Sequence, residues 1–399
     1  MPLHCLARIR PLHKATGTRI DIHVSSASLR QITGLNGVVW EPAMVAAPVL
    51  NMRLFNGDFQ AAVEPGSASL PINMTALKQS YPTADACAWS AAPVDIWAGE
   101  AGQAWPWTQV FSGKVSGWNR RGQVLSLSAE TAFDDKNVLT GTYAGTGGAE
   151  GSLDLKGKVK PLALGWPQNV EPVLINAVDS VYQFSAYGPI EAVTKLYERG
   201  SDFGASIGDY ANYTALVAAS IPPGRWATCL AQGMIRLGAP AFGVITGDLK
   251  GHKVGASAPR LTGAIINALA TISGTSSAFI ESASLTALDA AAPYPVSAMI
   301  TDQVKFSDAA KGLALPCNWQ AGISLLGKFF VMPVTLAGSP ALTLDSRGRS
   351  LPQVIESAEQ DVSPPYFKTI LGAAQSWRVH TADEISFTAS LILRGEYVP

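Results

Sequence analysis

Charge is scarce in this chain. Of 399 residues only 15% are Asp, Glu, Lys or Arg, and 29 basic residues stand against 30 acidic ones for a net charge of −1. With no basic excess to neutralise a phosphate backbone, specific nucleic-acid binding is not expected. Cysteine is scarce too: Cys5, Cys87, Cys229 and Cys317 are far apart and form no CxxC pair. That spacing argues against a zinc or iron–sulfur site and fits a reducing site of assembly, so no metal and no cofactor are expected. No window holds eighteen apolar residues in a row, so no membrane-spanning helix is expected. Residues 1–24 carry Arg8, Arg10, His13, Lys14 and Arg19 without a long apolar core, so no signal peptide is expected. The expectation is a protein made and kept soluble in a cytoplasm.

Catalytic phrases are missing as well. The five histidines, His4, His13, His23, His252 and His380, fall on separate elements, and no GxSxG or HExxH phrase occurs. His4, Cys5, His13 and His23 are spaced for two neighbouring strands at a subunit contact rather than for a ligand set. Asp134-Asp135 and Asp383-Glu384 are adjacent carboxylates. Sequence neighbours on a strand point to opposite faces, whereas a hydrolase pair converges on one bond, so both pairs read as caps and turns. No catalytic, cofactor-binding or metal-binding residue is predicted, and the chain is not expected to be an enzyme.

What the chain does have is apolar residues and chain-turning residues. It is 47% hydrophobic with 37 Gly and 26 Pro, and its mean hydropathy is +0.17. Such a composition suits strands and turns, with faces covered by neighbouring subunits rather than by water. The length implies two to four domains.

Residues 1–150 read as almost entirely β. Ile20-Asp21-Ile22-His23-Val24 alternates with period two, and strands are expected around Val38-Val39-Trp40 and Met52-Arg53-Leu54-Phe55, the last followed by an Asn56-Gly57-Asp58 turn. A second meander runs through Val94–Trp97, Gln109–Val115 and Gln123–Ser128, turning at Arg120-Arg121-Gly122. Its alternation places Val110, Ser112 and Lys114 on one face and Phe111, Gly113 and Val115 on the other. Five tryptophans, Trp89, Trp97, Trp105, Trp107 and Trp118, crowd this region. They read chiefly as core or interface anchors, with Trp105-Pro106-Trp107 as a sugar-stacking platform in the rival reading.

Residues 141–158, GTYAGTGGAEGSLDLKGK, fail both the dinucleotide and the phosphate-loop spacing and read as a flexible interdomain segment or a loop ordered only by neighbouring subunits. Short strands follow: one ending in Gly165-Trp166-Pro167, one over Val170–Ile175, then Val181–Phe184 and a Gly188-Pro189 turn. Beyond Gly200 the pattern is mixed α/β, with turns at Pro222–Arg225 and Leu237–Pro240. Leu261, Ile265, Ile266, Leu269 and Ile272 recur at helical spacing between a Ser257-Ala258-Pro259 start and a Gly274 stop. Phe329–Val334 and Leu342–Asp345 read as strands near the C-terminus.

The order of elements over Val159–Gly200 resembles tail-tip proteins of long-tailed bacteriophages and phage-like gene transfer particles. The strand pair in VFSGKVSGWNRRGQVLSLSAE resembles them too. So does the segment Val244–Gly255, taken as a strand ending in Gly-Asp-x-x-Gly before a helix. So does Pro364–Gly372 leading to Trp377–Thr381 and a helix-starting Ala382-Asp383-Glu384. These patches cover about 60% of the chain, by the same pattern reading.

The resemblance implies a mainly β, multi-domain fold with α+β additions, including tail-tube-like β-barrel domains. The divisions expected are 1–150 as an N-terminal β-rich domain, 151–225 as a barrel of the hub, 226–330 as an α+β domain and 331–399 as strands completing the hub. It implies a structural baseplate hub at the virion tail tip, assembled in the bacterial cytoplasm as a homo-oligomer, a trimeric ring. Its partners would be the distal tail ring, the tail tube, a central fibre or spike and, as a further candidate, the tape measure protein. A carbohydrate-binding adhesin and a tail-associated peptidoglycan hydrolase are the rival readings.

Overall fold

The computed structural model describes residues 3–27, 32, 34, 37–53, 64–100, 102–333, 375–381 and 383–386. It is mainly β, with 38% strand against 19% helix. The chain divides into two compact units: residues 1–134, 278–282 and 320–362, and residues 135–277, 283–319 and 363–399.

The first unit is built on seven strands: β1 (Leu3–Ile9), β2 (Ile22–Ser25), β3 (Val49–Asn51), β4 (Ser67–Asn73), β5 (Pro93–Glu100), β6 (Thr108–Arg121) and β7 (Val124–Thr131). They form one sheet, curled as a half-barrel, in the order β2-β1-β5-β6-β7-β4-β3. Every pairing in it is antiparallel. The predicted alternation holds. Phe111, Gly113 and Val115 are buried while Ser112 is half-buried and Lys114 exposed. The inner face joins Ala7, Ile9, Val24, Leu70, Ile72, Ile96, Leu125 and Leu127 into one apolar core. Burying each such side chain contributes about 1.5–3 kcal/mol. The helix α1 (Met74–Ser80) closes this core with Met74 and Leu77, and Asn73 caps it by accepting from the amides of Thr75 and Ala76.

One expected strand fails here: Val38-Val39-Trp40 is not in a ladder, and the adjoining bridge is from Glu41 to Val24, while Trp40 is buried against His23 and Trp97. Of the strand expected over Met52–Phe55, Met52 and Arg53 directly follow β3 and are assigned to no strand. Leu54, Phe55 and the Asn56-Gly57-Asp58 turn lie outside the described residues, as do Leu342–Asp345 and Pro364–Gly372.

The second unit carries β8 (Leu162–Leu164), β9 (Val173–Asn176), β10 (Val181–Gln183), β11 (Ile190–Glu198), β12 (Ser201–Asp202), β13 (Ser206–Asp209), β14 (Trp226–Cys229), β15 (Met234–Leu237), β16 (Ile245–His252) and β17 (Ala298–Ile300). Its sheets run β9-β10-β15-β14-β13, β12-β11-β16 and β8-β17. The five-stranded sheet separates two apolar clusters, because alternate residues of β14 and β15 face opposite ways. Ala227, Cys229 and Met234 join Tyr143, Ile175 and Leu216 on one side. Trp226, Ile235 and Leu237 join Phe184, Leu196 and Leu249 on the other. Among the described residues the unit also carries α2 (Tyr213–Ala218), α3 (Thr262–Ser273), α4 (Ser282–Ala291, all but its first residue) and α5 (Phe306–Ala314).

The helix stripe is where the spacing put it. Ile265, Ile266 and Leu269 are fully buried, and Gly274 ends α3 in the left-handed conformation. Its start is later than Ser257, at Thr262, and Leu261 at the N-cap offers no side-chain hydrogen bond. Asp289 of α4 supplies the cap instead, accepting from the amides of Gly263 and Ala264. The Gly247-Asp248 pair lies inside β16 rather than at a strand end, since the strand continues to His252 along its partner β11. Asp383-Glu384 begins no helix among the described residues; it forms a turn in which Glu384 accepts from the Thr381 amide and pairs with Arg378 at 2.6 Å.

The Gly-rich segment 141–158 is the largest correction. It folds into the second unit as a packed loop. Thr142 bridges Val159, the Tyr143 amide donates to the Lys158 carbonyl and the Gly147 amide to that of Gly151. Tyr143 and Leu155 anchor it in the core, and the Tyr143 hydroxyl donates to Gln183 Oε1 at 2.7 Å. Burial pushes the Tyr143 phenol above its ordinary range. The glycines serve positive φ values at 145, 147, 148, 151 and 157, so composition that reads as a flexible linker is turn chemistry.

Candidate functional site

The outer face of the half-barrel sheet gathers the polar residues of the first unit. The registers pair Arg8 with His23, Arg8 with Asp95, and Asp95 with Ser112, which lays His23, Arg8, Asp95 and Ser112 in one row across four adjacent strands. Asp95 is buried, and it accepts from Arg8 at 2.8 Å, from Ser112 at 2.9 Å and from Gln109 at 3.2 Å, with Arg10 at 3.6 Å. The row contains the residue types of a serine-hydrolase relay, but Arg8 stands between His23 and Asp95. The Ser112 hydroxyl donates to Asp95 instead of to an imidazole, so no base is placed to activate it. The cluster is a structural ion pair in which the Asp95 carboxylate is fully engaged, while the buried Nε atoms of Arg8 and Arg10 have no hydrogen-bond partner. Burial lowers the His23 pKa, with Arg8 lowering it further against the pull of Asp21, so the ring is neutral at physiological pH.

Next to this row the tryptophans pack on one another. His23 meets Trp40 edge-on at 4.9 Å between centroids, Trp40 meets Trp97 at 6.2 Å, and Trp97 meets Trp105 at 5.4 Å, with Arg8 over the Trp97 ring at 5.6 Å. Trp107 is only 4% exposed, and its indole N–H donates to the Gln103 carbonyl. It covers Gly99 so closely that a Cβ there would come within 2.3 Å of the ring. Trp105 and Trp107 therefore do not form a shared platform for a sugar ring; Trp107 is core. Trp89 is also core, while Trp118 is 51% exposed on β6.

The remaining sequence candidates are scattered. His13 faces Thr16 and sits opposite Cys87. His4 and Cys5 are consecutive on β1 and so lie on opposite faces. His252, whose pKa burial lowers, packs against Gly188. His380 is half-buried beside Glu384 at 3.8 Å. Burial raises the thiol pKa of Cys5, Cys87 and Cys229, which makes them poor nucleophiles. Asp135 is a cap, as expected of its pair: it accepts from the amide and hydroxyl of Ser307 at the start of α5. Among the described residues, no group of three or more His, Cys, Asp or Glu is arranged to hold a metal ion, and no helix is long and apolar enough to cross a membrane.

Sequence reasoning missed two surface features. One is the rim of the first unit, where among the described residues β3 is the last strand of the sheet and carries Val49 at 58% exposure, flanked by Val45 at 54% and Met52 at 37%. Unpaired strand edges with apolar side chains are templates for another chain. The other is in the second unit, where Arg260 and Lys250 stand over the Trp166 ring at 3.8 and 4.6 Å.

No family model matches the chain, and no curated protein matches it. Among solved structures it is similar to a chain of one described as the virion of a native gene transfer agent (GTA) particle. That chain is 11% identical, the match covers 62% of this chain and 78% of the other, and the TM-score is 0.23. A TM-score of that size does not define a shared fold.

Proposed function

We propose that this chain is a structural virion protein of a phage or phage-like tail tip, a baseplate hub. In this reading three copies form a ring that continues the tail tube, joining the distal tail ring to a central fibre or spike. The observation that carries it is the rim of the half-barrel sheet, where among the described residues β3 is an edge strand with Val45, Val49 and Met52 exposed along it. An apolar edge of this kind is a template for pairing with another chain, which ring closure would supply. Support also comes from the order of sequence elements that resemble tail-tip proteins, and from the low charge content of the chain. Permanent interfaces of this type bury roughly 2,000 Å² or more.

The rival readings lose their best residues. The glycan platform needs Trp107 at the surface, and its indole is committed to the core. The hydrolase reading needs two carboxylates converging on one bond, and Asp135 is engaged by Ser307 and Glu384 by Arg378 and the Thr381 amide. Negative-stain imaging of the purified full chain tests the proposal: three-fold rings with a central opening are expected. Lytic activity of the chain on a peptidoglycan zymogram would sink it.

A further inference from the structure

We propose that the Trp166–Arg260 surface of the second unit is a docking site for an acidic segment of a partner protein, seated by a carboxylate on the Arg260 guanidinium. The inference stands apart from the hub reading and holds for any role of the chain.

Backbone contacts build the site. Gly165 takes φ +67°, and a Cβ there would come within 2.2 Å of the Val296 carbonyl oxygen. The Val296 amide donates to the Arg260 carbonyl at 2.7 Å, and the Gly251 amide donates to the Gly165 carbonyl at 2.8 Å. These contacts bring together the residues next to them in sequence: Trp166, Lys250 and Arg260. The guanidinium carbon lies 3.8 Å from the indole centroid, a cation–π contact that restrains the side chain before any ligand arrives.

The charges nearby are unevenly spent. Glu191 accepts from Lys250 at 3.0 Å and from the Ala258 amide at 2.8 Å, and Asp248 accepts from the Asn169 amide and the Tyr197 hydroxyl. The hydrogen bond from Ala258, then Lys250, hold the Glu191 carboxyl below its usual range. Lys253 also acts on Glu191 through its charge, whereas among the described residues the Arg260 guanidinium has no carboxylate partner. A pre-aimed planar fork matches a carboxylate bidentately. Beside it a groove of about 430 Å³ is lined by Val254, Ser257, Pro259, Asn267 and Thr271, a mix of apolar and hydrogen-bonding groups that suits an extended peptide. A nucleic acid fits poorly: three cations make no stripe along a backbone, and stacked cations take the place of a base on the indole.

The test is fluorescence anisotropy of the full-length protein with a labelled hexaglutamate peptide, compared with hexalysine and a twelve-residue oligothymidylate. Binding of hexaglutamate alone is expected. Arg260→Ala should weaken it by about 10-fold, the loss of one charge-assisted fork. Arg260→Lys should restore only part, because a point charge lacks the fork. Arg260 is exposed, so unchanged melting of both variants is expected and confirms that folding is not the cause. Hexaglutamate affinity equal in the wild type and Arg260→Ala would overturn the proposal, and so would tighter binding of the oligothymidylate.

Discussion

Asp289 caps a helix to which it does not belong: its Oδ1 accepts from the Gly263 amide at 2.6 Å and its Oδ2 from that of Ala264 at 3.0 Å. Because Leu261 offers α3 no cap, these two bonds satisfy amides that would otherwise be orphaned at the helix start. The close approach needs Gly263, where a Cβ would stand 2.4 Å from the Leu285 carbonyl oxygen. Removing the carboxylate in Asp289→Ala should cost about 1–2 kcal/mol. Gly263→Ala should cost more, since α3 and α4 must separate. Thermal melts of the two variants check the order.

Trp107 and Gly99 form a second such pair. Trp107→Ala should destabilise the first unit by about 3–5 kcal/mol, as for a large buried aromatic. Gly99→Ala should destabilise it too, because the ring cannot keep its place. Urea unfolding followed by tryptophan fluorescence reads both.

In the polar row, Asp95→Ala strands Arg8, Arg10 and Ser112 at once. Since the arginines are more than a third exposed, water compensates part of the loss. About 2–3 kcal/mol is expected, toward the low end for a broken buried pair. Ser112→Ala removes one hydrogen bond to a charged group and should cost less, about 1–2 kcal/mol, as denaturant midpoints will show.

Acidification should weaken the fold early. Burial lowers the pKa of His23 and His252, so below about 6.5 the unfolded chain binds protons that the folded chain refuses. Stability is then full above that value and falls as pH drops below it. The melting temperature should begin to decline between pH 7 and 6. A His23→Gln, His252→Gln variant should stay flat over that interval.

Some of this was readable in advance and some was not, for physical reasons. Alternation in β6 placed Phe111 and Val115 inward because period two is local, and the Ile265, Ile266, Leu269 stripe with Gly274 marked α3 because period 3.6 is local. The cap from Asp289 lies 26 residues from Gly263 and has no local signal. The row from His23 to Ser112 depends on the registers of three strand pairings, which single-strand patterns do not carry. Residues 141–158 mislead because glycine content marks both linkers and tight turns; the discriminating residues are Tyr143 and Leu155, whose burial is tertiary.

The central claim is that this chain assembles through the open rim at β3. Light scattering of the wild type and of a Val45→Glu, Val49→Lys variant across one concentration series tests it most directly. The account predicts a wild-type mass of three chains and a variant mass of one, with the same folded far-UV circular dichroism spectrum and a lower melting temperature for the variant, since assembly stabilises the folded state. A wild type that stays at one chain throughout, or a variant that assembles as the wild type does, would contradict it.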